Sequence, residues 1–198
     1  NVGVMNLYQA TAMIMGANIG TTITAQIAAL SAFPITTYIQ ILVFAGMMLS
    51  MVCENDNVQK AGYILAGFGL IFIGLELMSA SMKANRDAVQ NIFAVVTSPF
   101  LLFLIGIFLT ALVQSSSVTT SVIIAMSVAG LQIGSGGNEV LFIILGTNIG
   151  SCATALMSSF GAGANARRAS LIHLLFNTFG SVIFFTLLMV WPSFMEVT

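Results

Sequence analysis

The sequence predicts an all-α integral membrane fold built as an inverted repeat, with a re-entrant hairpin and broken transmembrane helices. Three observations carry this. Charged residues make up 6% of the chain and apolar residues 58%, whereas a soluble domain carries about 25% charged residues. One polar, uncharged stretch, Thr110-Ala111-Leu112-Val113-Gln114-Ser115-Ser116-Ser117-Val118-Thr119-Thr120-Ser121, lies between two apolar runs. A short glycine motif occurs twice, 130 residues apart: Gly16-Ala17-Asn18-Ile19-Gly20-Thr21 and Gly146-Thr147-Asn148-Ile149-Gly150-Ser151.

Taken in order, residues 7–30 form an apolar crossing interrupted at Gly16 to Thr22. Two glycines around an asparagine weaken a helix, so the chain is expected to unwind there. A turn containing Pro34 leads to a second crossing, residues 36–53, long enough to span about 30 Å at 1.5 Å per residue with some thinning at its ends. Residues 54–60 read as a solvated loop. Residues 61–79 form a third crossing whose glycines (Gly62, Gly67, Gly69, Gly74) let neighbouring helices approach closely. Residues 81–91, with Lys83, Arg86 and Asp87, are a second solvated segment.

Residues 92–131 are too long for one crossing, and their centre is polar without resembling a loop. A hairpin that enters, stops at a tip spanning Gln114 to Ser117 and returns fits best, because unpaired polar groups in lipid cost several kcal/mol each and must face protein or a cavity. The competing reading is a set of helix-packing hydroxyls bonded back to their own carbonyls. Residues 132–138 read as a glycine-rich surface loop, residues 139–160 as a crossing interrupted at Gly146 to Ser151, residues 161–168 as a loop ending in Arg167-Arg168, and residues 169–191 as the last crossing, ended by Pro192.

Counting crossings sends the two glycine-motif segments through the membrane in opposite directions. Inverted repeats of this kind are common in secondary transporters, whose sites lie at mid-membrane. The loops on one side carry Lys60, Arg167 and Arg168 and those on the other Lys83 and Arg86, so the first side is expected to be cytoplasmic. The division follows: residues 1–53 as the later part of a first repeat, 54–91 as the loop, helix and linker between repeats, and 92–198 as a second repeat with the hairpin.

Net charge is −1, which argues against a nucleic-acid partner. Cys53 and Cys152 read as small buried hydrophobes, with no neighbouring Cys or His to suggest a metal. Glu76 reads as an interfacial carboxylate, His173 as an interfacial histidine, and Arg167 and Arg168 as orientation anchors. No Gly-x-Ser-x-Gly, HExxH or P-loop is present, and the chain is not expected to be an enzyme.

At Gln114-Ser115-Ser116-Ser117 followed by Gly146-Thr147-Asn148-Ile149-Gly150 the sequence resembles the type II sodium/phosphate cotransporter family and its bacterial relatives. In that family each of two inverted repeats has a Gln-Ser-Ser-Ser hairpin tip followed by a broken helix with the glycine motif. The second repeat here matches over residues 100–179, including Arg167-Arg168-Ala169 and His173-Leu174-Leu175-Phe176-Asn177; the first matches only from its glycine motif onward. Residues 62–78 look like the family's inter-repeat helix.

The resemblance implies a multi-pass plasma-membrane symporter of inorganic phosphate and Na+, with no cofactor beyond the co-transported ion. It implies Gln114, Ser115, Ser116, Ser117, Asn18 and Asn148 as substrate-binding residues, and Gln114, Ser115, Ser116, Thr21, Thr22, Thr147 and Ser151 as sodium-binding residues. The first tip is absent, so a preceding N-terminal segment or a homo-oligomer is expected to complete the site. The alternatives are a carrier of another oxyanion (sulfate or a carboxylate), a non-transporting structural or regulatory fragment, and an intramembrane serine hydrolase pairing Ser115 to Ser117 with His173.

Overall fold

The computed structural model describes residues 5–33, 36–134 and 137–195. These form nine α-helices and two short 3-10 turns, with no strand among them. Among the described residues, four segments are long and apolar enough to cross a membrane: Leu7–Ala32, Asp56–Ala84, Glu139–Ser159 and Ala164–Val190. The protein is an all-helical, multi-pass membrane protein. Its many outward-facing apolar side chains, such as Tyr8, Ile19, Phe108 and Phe179, suit a lipid surround.

The first helix, α1 (Leu7–Ala29), opens with a capping box: Asn6 Oδ1 accepts from the Gln9 N–H and Gln9 Oε1 from the Asn6 N–H. It then runs unbroken through Gly16 to Thr22, so the expected unwinding does not occur. Two glycines in 23 residues cost a helix about 1 kcal/mol each, less than the several kcal/mol of each backbone group that unwinding would leave unpaired in lipid. The turn expected at Pro34 lies outside the described residues.

The second and third helices, α2 (Thr36–Val52) and α3 (Asp56–Ala84), pack on each other along much of their length. They approach closely at Gly46 and Gly62, where a Cβ on Gly62 would stand 2.6 Å from the Gly46 carbonyl oxygen. Asn55 caps α3 by accepting from the Asn57 N–H, so the loop predicted over 54–60 shrinks to its first two residues and the rest, from Asp56, is helix.

The segment after Ala84 is helical too. The surface helix α4 (Arg86–Ala94) is clamped to the far end of the hairpin: Arg86 donates to the Gly130 carbonyl, and Gln90 exchanges two 2.9 Å hydrogen bonds with the Gln132 backbone. Leu131 and Ile133 beside this clamp are buried, whereas Gln132 and Gly137 of the expected surface loop are exposed; residues 135 and 136 lie outside the described residues.

The hairpin is α5 (Pro99–Val113) and α6 (Ser116–Val128). Pro99 stands at the first helical position, where its missing N–H costs nothing. At 15 and 13 residues the arms are about 23 and 20 Å long, short of the roughly 30 Å apolar layer.

The chain continues as α7 (Glu139–Gly150), α8 (Cys152–Ser159) and α9 (Ala164–Val190). The second expected break is a one-residue interruption: Ser151 keeps right-handed helical dihedrals and its N–H still reaches the Thr147 carbonyl at 2.9 Å. Arg167 and Arg168 fall inside the first turns of α9 rather than in a loop.

The core lies where α5, α6, α7 and α9 meet, around Leu102, Ile123, Met126, Phe142, Ile143 and Leu188. Phe185 on α9 stacks edge-on against both Phe103 and Phe142, with ring centroids 5.3 and 4.9 Å apart. The second half of the chain thus forms a packed unit. By contrast α1 buries only Ala28.

Candidate functional site at the hairpin tip

The tip is two residues long. Gln114 ends α5 in the left-handed region, φ 57° and ψ 24°, and is the only non-glycine residue at positive φ among the described residues. An L-residue pays about 1 kcal/mol there. Ser115 follows in extended conformation and caps α6, its Oγ accepting from the Val118 N–H at 3.3 Å. Ser116 and Ser117, expected within the tip, are the first two residues of α6.

This turn gives the tip two electrostatically opposite ends. The negative end of the α5 dipole and the positive end of the α6 dipole, each worth about half an elementary charge, meet at Gln114-Ser115. With the Val118 N–H taken by the Ser115 cap, the N–H groups of Ser116 and Ser117 at the start of α6 are left without intrahelical acceptors for a ligand in front of them. The last carbonyls of α5 similarly face the tip from the other arm. One side therefore suits an anion and the other a cation.

Several predicted hydroxyls are already engaged as donors. Thr21 Oγ1 donates to the Ala17 carbonyl, Thr22 Oγ1 to Ile19, Thr147 Oγ1 to Ile144 and Ser151 Oγ to Asn148, at 2.6 to 2.9 Å. A hydroxyl whose hydrogen is used in this way retains lone pairs, so these four suit a cation better than an anion. Amide N–H groups suit an anion. Asn18 Nδ2 is buried and has no partner, and the exposed Asn148 and Gln114 amides point from different helices.

The elements carrying these residues converge on α6, which packs against α1, α3, α5 and α7. Ser117 turns toward α3, lining with Ser121, Gly74 and Met78 an open groove of about 230 Å³. Thr147 is nearly closed off while Thr21, Thr22 and Asn148 are exposed. The residues are thus brought onto neighbouring helices rather than into one sealed cage.

The glycines of the second motif make the α5–α7 seam. A Cβ on Gly150 would lie 2.7 Å from Thr110 Cβ and 2.5 Å from the Ile107 carbonyl oxygen, and one on Gly146 would run into the Phe103 carbonyl. The equivalent Gly16 and Gly20 on α1 have nothing within 4 Å. In the sequence these glycines read as weak points, but a four-residue spacing of small residues is also the signature of close helix packing. Nor does the sequence mark Thr110 as a site residue, although Thr110 stands one helical turn before Gln114 on the same arm.

Glu76 and His173 line other cavities. Glu76 lines a cavity of about 370 Å³ with Ser79 and Lys83. His173 lines another, of about 600 Å³, between the start of α1 and α8–α9, together with Asn6, Ser158 and Ser170. The hairpin serines are not among the residues lining that cavity. Cys152 is fully buried, its thiol 3.6 Å from the Asn148 and His173 carbonyls, and no group of three His, Cys, Asp or Glu side chains able to hold a metal occurs among the described residues.

The Na+/Pi-cotransporter family model matches the chain twice, over residues 1–80 and 79–191. The chain is 26% identical over 199 residues to YqeW of Bacillus subtilis, covering 99% of this chain and 62% of that protein. It is 29% identical over 180 residues to YjbB of Escherichia coli, provisionally named an inorganic phosphate export protein, covering 89% of this chain and 32% of YjbB. It is 33% identical over 126 residues to the sodium-dependent phosphate transport protein 2A of Rattus norvegicus, covering 58% and 19%. The chain therefore spans less than two thirds of the length of these relatives. No solved structure matches it. The chain belongs to the Na+/Pi-cotransporter family.

Proposed function

We propose that this member of the Na+/Pi-cotransporter family supplies the hairpin and both glycine motifs of a sodium-coupled carrier of inorganic phosphate. The observation that carries the reading is the tip itself, where a helix C-terminus and a helix N-terminus meet beside a set of neutral oxygen and amide groups. Phosphate is an anion and no Lys or Arg lies within the tip or the motifs. Its charge is balanced by the α6 N-terminus and by co-bound sodium.

The roles divide by chemistry. Gln114, Asn18, Asn148 and the hydroxyls of Ser115, Ser116 and Ser117 donate to phosphate oxygens. Thr21, Thr22, Thr147 and Ser151, whose hydrogens are already committed to carbonyls, offer lone pairs to sodium, a hard cation that prefers oxygen; Gln114, Ser115 and Ser116 reach both ions. Sodium binds first and creates the anion site, so coupling is electrostatic.

Residues 1–53 and 92–198 are read as repeats related by inversion and joined through 54–91; that the family model matches the chain twice, over 1–80 and 79–191, fits a repeated architecture. The open Gly16 and Gly20 face of α1 favours completion of the first half by a further helix, from a longer chain or another subunit. The test is binding of labelled phosphate to the purified protein with sodium or choline as the cation. Phosphate retained only in sodium supports the reading; equal affinity in choline sinks the coupling, and displacement by sulfate at equal concentration would favour a broader oxyanion carrier.

A further inference from the structure

Thr110 is closed off completely by the fold and left unsatisfied. Its relative exposure is 0% and its Oγ1 has no hydrogen-bond partner. Neighbouring hydroxyls behave differently: Thr119 donates to the Ser115 carbonyl, Thr147 to Ile144, Ser151 to Asn148 and Ser181 to Leu145. An orphaned buried hydroxyl costs about 1–3 kcal/mol, and an apolar side chain of the same shape would avoid that cost. Such a group calls for a ligand or a role.

Its position limits what the ligand can be. Thr110 sits in the last turn of α5, and its own carbonyl accepts the Gln114 N–H at 2.7 Å. Its Cβ rests on Gly150 of α7. Thr110 thus joins the hairpin tip to the second glycine motif, whose Thr147 is also closed off at 2% exposure. The negative end of the α5 dipole repels an anion and attracts a cation. The carbonyls of Ala111, Leu112 and Val113, at the helix end where intrahelical donors run out, add further neutral oxygens. No carboxylate is on α5, α6 or the adjoining end of α7, so the site suits a monovalent ion better than a divalent one, which draws on carboxylate ligands.

Resting on the sodium-coupled reading above, we propose that Thr110 Oγ1 is a ligand of the coupling sodium ion, bound beneath the hairpin tip at the C-terminal end of α5 with the carbonyls of that last turn. An ion there binds on the cation side of the tip while phosphate binds on the α6 side. Sodium occupancy then fixes the end of α5 against Gly150 and sets the geometry of Gln114, the next residue on that helical face.

The test is thermal unfolding of the full purified chain in detergent, titrated with sodium chloride against choline chloride at constant ionic strength. For the native protein sodium raises Tm. For Thr110→Val the Tm in choline equals or exceeds the native value, because an unsatisfied hydroxyl has been replaced by an isosteric apolar group, and the half-stabilising sodium concentration rises about tenfold or more. Thr110→Ser retains the sodium response, and Thr186→Val, remote on α9, leaves it unchanged. A native sodium response in Thr110→Val overturns the proposal, as does failure of both Thr110→Val and Thr110→Ala to fold, which would make the hydroxyl structural. Absence of any sodium response in the native chain overturns the sodium-coupled reading itself.

Discussion

Gly106 on α5 and Gly146 on α7 lie face to face, each so close that a Cβ on one would stand 3.0–3.1 Å from the Cα of the other. Backbone thus meets backbone at the centre of the seam that holds the hairpin. In lipid, where water supplies no drive for helices to associate, contacts of this kind and the packing around them hold helices together.

Adding a methyl group at this seam should be costly. Gly146→Ala or Gly106→Ala forces α5 and α7 apart and should destabilise the protein by about 1–3 kcal/mol. Gly16→Ala, with open space around it, should be neutral or stabilising by about 0.5–1 kcal/mol, through helix propensity alone. Thermal unfolding of the two sets in detergent reads the difference; equal losses at Gly16 and Gly146 would contradict the asymmetry between the two motifs.

Gln114 combines a strained backbone with a functional amide. Gln114→Gly removes the left-handed penalty of about 1 kcal/mol together with the amide. Stability should hold or rise while sodium-dependent phosphate binding falls, as read by unfolding and by labelled-phosphate binding on the same sample.

Ser115 separates capping from ligand binding. Ser115→Ala loses the bond from the Val118 N–H and should cost about 1 kcal/mol. Ser115→Asp keeps a cap but sets a negative charge before the α6 N-terminus. Its stability should match the native protein's while phosphate binding is lost, and retained binding would remove the anion from that end of the tip.

The α4 clamp holds the exit of the hairpin. Gln90→Ala deletes both bonds to Gln132 and should speed hydrogen exchange in residues 130–134 without affecting α5 and α7. Unchanged exchange there would show that burial of Leu131 and Ile133 holds the segment by itself.

What can be read from the sequence depends on the length of each signal. Long apolar runs identify the helical crossings. Gln114 to Ser117 marks a hairpin whose tip falls at Gln114-Ser115, because a glutamine and consecutive serines are costly to bury among apolar residues unless the chain turns there. The glycine motifs are ambiguous: Gly-x-x-x-Gly both weakens a helix and lets another helix approach. Only the partner decides, and Gly106, forty residues before Gly146, shows no mark of pairing in the sequence. Residues 54–60 and 81–91 read as solvated from their charges and are largely exposed; what the charges do not reveal is that much of both is helix, with Asn55 capping one and the Gln90 clamp holding the other. Thr110 is one threonine among many in the sequence; its lack of a partner is a property of the packed seam.

The central claim is that the hairpin tip couples sodium to phosphate, and its most direct test is uptake of labelled phosphate into proteoliposomes with and without an inward sodium gradient. It should be run on this chain and on a version extended at its N-terminus to the length of its relatives. The account predicts sodium-dependent uptake by the extended protein, abolished by Ser115→Asp. Uptake that ignores the sodium gradient, or no uptake by either protein, would contradict it.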